Sequence, residues 1–321
     1  VKRSLLSIVL VGLVLAGCQS GAPNAGQPEG EKKLVVGFSQ IGAESAWRTA
    51  NTESIRSEAD KRGIELKFSD ARGEQANQIK AIKSFIAQGV DVIAFAPVVE
   101  TGWEDVLREA KDAGIPVFVS DRRPDVPDDL YVTFIGSDFI EEGRMAARWL
   151  AEHTGGKAVV AEMTGTPGSA PANDRAKGFR EVLEDYPDMK IVYSQTGDFK
   201  RANGKTVMEA LLKSPVGKTI NVLYAHNDDM AIGAIQAIKE AGKVPGKDIV
   251  IVSIDAIHDA LQAIVDGELN CSVECNPLLG PYLFDAIEDF RAGKTLPKRS
   301  VIEDSMFTAE NAATALPDRK Y

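Results

Sequence analysis

One unit recurs along this chain: an apolar run of strand length, a polar loop, then a helix-length segment that stops at a glycine. Its plainest copy lies between Ile220 and Gly242. Ile220-Asn221-Val222-Leu223-Tyr224-Ala225 meets four polar residues, His226-Asn227-Asp228-Asp229, and an Ala-rich stretch follows to Gly242. That order reads as a βα unit. Repeated units of this kind build parallel sheets covered by helices, and ligands bind in the crevice outside the carboxyl ends of the strands. The polar loops after the strands are therefore where function is expected, and their residues suit a small polar molecule.

The alternation fills most of the 321 residues. Strands are expected at 34–39, 64–69, 90–96, 115–120 and 130–136, with helices at 47–62, 74–88 and 102–113 among them. Several strand runs are nearly unbroken β-branched or aromatic residues, as in strands buried on both faces. Lys61-Arg62-Gly63, Gln88-Gly89 and Ala113-Gly114 are helix endings of the glycine-capped kind. The grammar then restarts, with helices at 139–153, 172–185 and 202–212 and strands at 158–163, 190–194 and 249–254. Two αβ halves, each with its own sheet, are the economical reading. The tail departs from it. After a strand at 270–274, a helix at 279–291 and extended stretches to Phe307 make no third unit and are expected to return to the first half.

The N-terminal residues carry an address. Lys2 and Arg3 precede an apolar run from Leu5 to Leu15, about a dozen residues where a bilayer span needs ~20. A run this short suits a cleaved secretory signal. Leu15-Ala16-Gly17-Cys18 closes it and resembles the bacterial lipoprotein box, which implies Cys18 as the lipid-bearing first residue of the mature chain. An ordinary signal with a chance cysteine is the plainer alternative. Gln19 to Glu31 is rich in Gly, Ala, Pro, Gln and Asn and reads as a flexible tether.

The formal net charge is −10, and losing Lys2 and Arg3 with the signal takes it to −12. Nucleic-acid affinity comes from neutralising phosphates, so this balance disfavours a nucleic-acid partner. Cys271 and Cys275 flank a segment that looks extended. Four residues of strand cover ~13 Å, whereas a disulfide wants Cα atoms within ~7 Å. A bridge between them needs a bend, and two small buried apolar side chains is the simpler reading.

Several polar or aromatic residues stand at strand ends. Asp121 and Arg122 follow the 115–120 run, where a carboxylate and a guanidinium together can read a vicinal diol. A surface ion pair is the bland alternative. Trp47 and Arg48 follow the loop after the first strand, and an indole there either stacks on a sugar ring or packs its helix on the sheet. Arg175 opens a helix after a Gly165–Ser169 loop, with Asp174 before it suited to the helix dipole. Phe199, Asn227 and Asp255 follow three further strands. Each is weak alone, but all fall on the same rim.

Catalytic signatures do not appear. There is no Gly-x-x-x-x-Gly-Lys-Ser/Thr loop and no Gly-x-Ser-x-Gly elbow, and His153, His226 and His258 lack metal-ligand spacing. No catalytic residue, metal or cofactor is expected. Of the three histidines only His226 lies beside the rim, where a structural role is favoured.

These residues resemble the ribose- and galactose-type sugar-binding proteins of bacterial ABC importers, from Leu34 to Tyr321. The resemblance rests on Val36-Gly37-Phe38-Ser39-Gln40 with Glu44-Ser45-Ala46-Trp47-Arg48, and on Ala96-Pro97-Val98-Val99 with Thr101-Gly102-Trp103. Gly197-Asp198-Phe199 and Tyr224 to Met230 extend it, and the galactofuranose-binding members are the most similar.

The resemblance implies an α/β fold of the type I periplasmic kind, two doubly wound parallel-sheet lobes joined by three hinge strands. One lobe would take 33–136 plus 275–303 and the other 137–274 plus 304–321, after a signal at 1–17 and a tether at 18–32. It implies that Asp121 and Arg122 grip sugar hydroxyls, that Trp47 stacks on the ring beside Arg48, and that Arg175, Asn227 and Asp255 bond the remaining hydroxyls. Phe199 would supply a second apolar wall, and Glu274 would stand where the family often has a hinge-strand ligand, commonly Gln. A Trp-Arg pair where ribose binders present Phe-Phe argues against plain ribose. The implied partners are a monosaccharide, an ABC permease and a membrane held through Cys18, with a monomeric body. A receptor subunit for a membrane sensor kinase remains the alternative; a repressor would need an N-terminal helix-turn-helix, and an enzyme would need turnover.

Overall fold

The computed structural model describes residues Lys33–Tyr321, which form one compact unit. The signal, the tether and Cys18 lie outside the described residues. The first sheet takes β1 (Val35–Gln40), β2 (Glu65–Asp70), β3 (Val92–Phe95), β4 (Val117–Ser120) and β5 (Phe134–Gly136), interleaved with α1 (Ala46–Lys61), α2 (Gln75–Gln88) and α3 (Glu104–Asp112). The second repeats the plan. Its helices are α4 (Phe139–Thr154), α5 (Ala170–Leu183), α6 (Arg201–Lys213), α7 (Asp228–Glu240) and α8 (His258–Val265). Its strands are β6 (Ala158–Thr164), β7 (Met189–Thr196), β8 (Val222–Ala225), β9 (Val250–Asp255) and β10 (Cys271–Glu274).

The tail adds α9 (Gly280–Arg291), β11 (Arg299–Val301) and β12 (Met306–Thr308). Each sheet then has six strands, in the orders β2-β1-β3-β4-β5-β11 and β7-β6-β8-β9-β10-β12. The two orders are the same, and each reverses direction at its first strand. Such a reversal opens a crevice at the carboxyl edge. All pairings between named strands are parallel except β10 with β12.

Adjacent residues of the central strands feed opposite faces. Phe95, Val119 and Phe134 join Trp103 and Leu107 on one side of the first sheet, while Ala94, Phe118 and Ile135 join Ile55 and Phe284 on the other. Phe284 belongs to α9, so the tail helix does complete the first lobe's core. The expected strand at 130–136 begins later than its apolar pattern suggests. Asp128–Leu130 winds into a 3₁₀ turn, and Lys298 Nζ donates to the carbonyls of Asp128 and Tyr131.

In the second lobe α4 and α5 cross at two glycines. A Cβ on Gly178 would lie 1.9 Å from the Ile140 carbonyl oxygen, and one on Gly143 would lie 2.3 Å from that of Arg175. Only glycine lets these backbones approach so closely.

The chain passes between the lobes three times: from β5 to α4, from β10 to α9, and from β11 to β12. Asp304 ties these passes together. It accepts from Ser137 Oγ on the first pass at 3.1 Å and from the Asn276 backbone N–H on the second. Burial, and then the nearby Glu142, push its carboxyl up to about 8. A carboxyl raised in the folded state holds its proton more tightly there than in the unfolded chain. Its stabilising contribution is therefore full below the unfolded value, near 4, and is lost as pH climbs to about 8. Asp228, raised mainly by burial to about 7, acts in the same direction. The urea midpoint is expected to fall between about pH 5.5 and about pH 8, and Asp304→Asn to shrink that fall. An equal fall in the variant would exclude Asp304 as its source.

Candidate functional site

The loops at the carboxyl ends of both sheets face each other across one cavity. In the first lobe, Ser45 caps α1 by accepting from the Arg48 backbone N–H at 3.1 Å, which places Trp47 and Arg48 in the first turn. Arg48 is buried and forks onto Asp121 Oδ2 at 2.6 Å and Glu44 Oε1 at 3.1 Å. Arg122 donates to the Val98 carbonyl at 3.1 Å and lies 3.6 Å from Glu44, while its Nε has no hydrogen-bond partner among the described residues. Glu44 Oε2 is likewise unpartnered. Orphaned buried polar atoms are costly, so their place in a cavity wall points to a ligand that satisfies them.

Charge is balanced locally. Burial pulls the Arg48 guanidinium down, but Asp121 and Glu44 more than reverse it, so it stays charged. Burial and the like charge of Arg48 bring Arg122 down to about 10, still protonated at neutral pH. Glu44 is lifted by burial and lowered further by Arg48 and Arg122, ending below its ordinary value.

In the second lobe Arg175 donates from Nε to Glu142 at 2.7 Å and from Nη1 to the His226 carbonyl at 2.6 Å, and its Nη2 lies 3.6 Å from Asp255. Burial drives Asp255 well above the usual carboxylate range, and Arg175 offsets only part of this. A carboxyl so raised both donates and accepts, which is the pattern a hydroxyl presents. Asn227 caps α7 by accepting from Met230 N–H at 3.0 Å and gives one amide hydrogen to the Phe199 carbonyl at 3.2 Å. One amide hydrogen is left for a ligand. Three of the residues that line the cavity, Asp121, Phe199 and Asp255, hold positive φ values of 64°, 58° and 127°. Such backbone strain in non-glycine residues gathers at ligand clamps.

Eight of the expected residues therefore meet in one cavity: Trp47, Arg48, Asp121, Arg122, Arg175, Phe199, Asn227 and Asp255. Trp47 also joins the second lobe's apolar core, and its indole N–H donates to the Cys275 carbonyl. Its ring carries the Arg48 guanidinium 4.6 Å from its centre. Glu44 was missed as a wall, although its place four residues before Arg48 is the ion-pair spacing of a helix turn.

Glu274 stands apart from the other eight. It is held by Arg319 at 2.7 Å and Tyr321 Oη at 2.8 Å and lines a separate pocket with the C-terminal residues. Its neighbour Cys275 stands in the cavity wall instead. Side chains alternate along an extended segment, so one position decides which side is faced. Glu274→Gln is expected to lower stability by about 1–2 kcal/mol and leave sugar affinity within about threefold. A large loss of affinity would restore Glu274 to the site.

Cys271 and Cys275 are both buried and unbridged. His226 is buried behind the rim, with Nε2 3.3 Å from Glu162. Among the described residues no cluster of His, Cys, Asp or Glu is placed to hold a metal ion.

The lobes are in contact at the rim. Ala46 N–H donates to Asp229 Oδ2 at 2.7 Å, Asn173 Nδ2 to Glu100 Oε2 at 2.7 Å, and Arg123 Nη2 to Asp174 Oδ2 at 3.3 Å. Two similarly wound lobes closed over a cavity of fixed hydrogen-bonding groups define a cleft-type ligand-binding protein.

The chain belongs to the periplasmic binding protein family: residues 36–286 match the periplasmic binding protein domain. It is 50% identical over 291 residues to the galactofuranose-binding protein YtfQ of Escherichia coli, covering 89% of this chain and 92% of that one. A Mycobacterium smegmatis protein in complex with β-D-fucofuranose is 55% identical, with a TM-score of 0.87 over 90% of this chain and 95% of its own. The binding component of the arabinose ABC transporter of Shewanella sp. ANA-3, bound to α- and β-L-arabinofuranose, is 52% identical. Its TM-score is 0.87 over 89% of this chain and 95% of its own.

Proposed function

We propose that this protein captures a monosaccharide in its furanose form, a hexose such as galactofuranose, between its two lobes and delivers it to an ABC permease. It works outside the cytoplasm, as the family does, held to a membrane through lipid on Cys18 and acting as a monomer. The observation that carries the reading is the cavity wall. Guanidinium and carboxyl groups alternate on both lobes, with the indole of Trp47 and the ring of Phe199 for the apolar faces of a sugar. Relatives about half identical to this chain bind furanoses.

The mechanism is differential binding. Each lobe carries half of the hydrogen-bonding set, so a ligand that bridges both stabilises the closed form. Micromolar affinity corresponds to about −8 kcal/mol, a scale that a few charge-assisted hydrogen bonds reach after closure and desolvation costs.

Calorimetric titration with pentoses and hexoses enriched in furanose forms tests this. Saturable micromolar binding of one sugar, lost in Asp121→Ala, is the expected result. Arg122→Ala is expected to cost ~2–5 kcal/mol of affinity, since it removes a buried guanidinium whose free Nε–H faces the ligand and leaves sugar hydroxyls without that donor in a closed cleft. An unchanged dissociation constant would remove Arg122 from the site, and silence across the panel from folded protein would reject the sugar reading.

A further inference from the structure

The space between the lobes does not end at the inner cavity. A second space lies beside it, lined by loops of both lobes. Glu44 lines both, and its buried Oε2 has no hydrogen-bond partner among the described residues. The spaces share other walls. Phe199 lines the inner one and its neighbour Asp198 the outer, while Val98 lines the outer one and gives its carbonyl to Arg122 of the inner.

The outer space has a floor and a rim. Ile41 and Val98 belong to a small apolar cluster separate from the larger cores of both lobes. Around them stand Asp70 and Arg72 from the first lobe and Thr166 and Lys200 from the second. An apolar surface edged by polar groups matches a sugar ring, which is apolar on its faces and hydroxylated at its perimeter.

Backbone strain marks this space as it does the inner one. Arg72 and Asp198, one from each lobe, hold φ values of 55° and 57° and face the outer space. Non-glycine residues persist in that region where the surroundings over-determine them, as at ligand clamps.

We infer that the outer space is a second sugar subsite, so that the protein takes furanosides carrying one further sugar as well as the free monosaccharide. The furanose occupies the inner cavity and the second ring lies over Ile41 and Val98. This rests on the proposed furanose function and extends it to short furanose-ended oligosaccharides as the substrate class.

The test is calorimetric titration of the full chain with D-galactose, scored by its furanose fraction, and with two disaccharides that carry galactofuranose at the non-reducing or the reducing end. At least one disaccharide is expected to bind within about tenfold of the free furanose. Thr166→Trp fills the outer space from the second lobe and Ala43→Trp fills it from the first, and neither residue lines the inner cavity. Each variant is expected to weaken disaccharide binding by at least about tenfold and leave the free sugar unchanged, which also reports that it is folded. Disaccharides that both bind more than about tenfold more weakly than the free sugar would overturn the subsite and leave the monosaccharide reading standing. So would variants that weaken both ligands alike. Binding of neither ligand would reject the sugar reading and the subsite with it.

Discussion

Arg175→Ala is expected to abolish measurable sugar binding and to lower stability by about 3–5 kcal/mol. Arg175 is almost wholly buried and is the cation shared by Glu142 and Asp255, at 2.7 and 3.6 Å. Without it two carboxyls face each other in a low-dielectric interior, and the His226 carbonyl loses its donor. Burial pushes Glu142 above its ordinary value even with the guanidinium present, so its removal leaves protonation as the main relief. Urea unfolding and calorimetry on the variant measure the two losses. The double variant Arg175→Met with Glu142→Gln separates them, because removing both partners restores part of the stability and none of the binding. If Arg175→Ala alone bound sugar normally, the second lobe's contribution to the site would have to be assigned elsewhere.

Gly178→Ala is expected to cost about 3 kcal/mol of stability and at least about tenfold in sugar affinity. The new methyl would sit 1.9 Å from the Ile140 carbonyl oxygen, and backbone cannot swing aside as a side chain can. The helices α4 and α5 must separate. Glu142 rides on α4 and Arg175 on α5, so their 2.7 Å ion pair stretches with the separation. Thermal melts with and without ligand would show both effects, and an unchanged melting temperature would mean the crossing relaxes without strain. The same argument applies to Gly143, whose Cβ would meet the Arg175 carbonyl oxygen at 2.3 Å.

Much of the site was legible before the fold was known, for a reason that Asn227 illustrates. A parallel strand delivers the residue after it to the carboxyl rim, so an apolar run followed by a polar residue locates a rim position without coordinates. Asp121, Asn227 and Asp255 follow this rule, while Phe199 comes three residues after its strand. Glu274 also ends a strand, yet its carboxylate meets Arg319 instead of the cavity, because the rule locates the rim but not the side that a given side chain faces. The Glu44 contact was hidden because its partners, Arg48 and Arg122, lie on separate elements, and only the former is near it in sequence.

What the sequence determined by itself is the alternation of strand and helix, the restart after the fifth strand, and hence two sheets with a polar rim. Those follow from periodicity, glycine caps and unbroken apolar runs, which are local physical properties. Tertiary structure alone decided that β12 turns antiparallel onto β10. It also decided that Gly143 and Gly178 set the spacing of an ion pair, and that Cys275 takes the cavity wall while Glu274 binds Arg319. These depend on which backbones approach and which way a side chain points when they do. That is settled by close packing between segments far apart in the chain, and no local pattern encodes it.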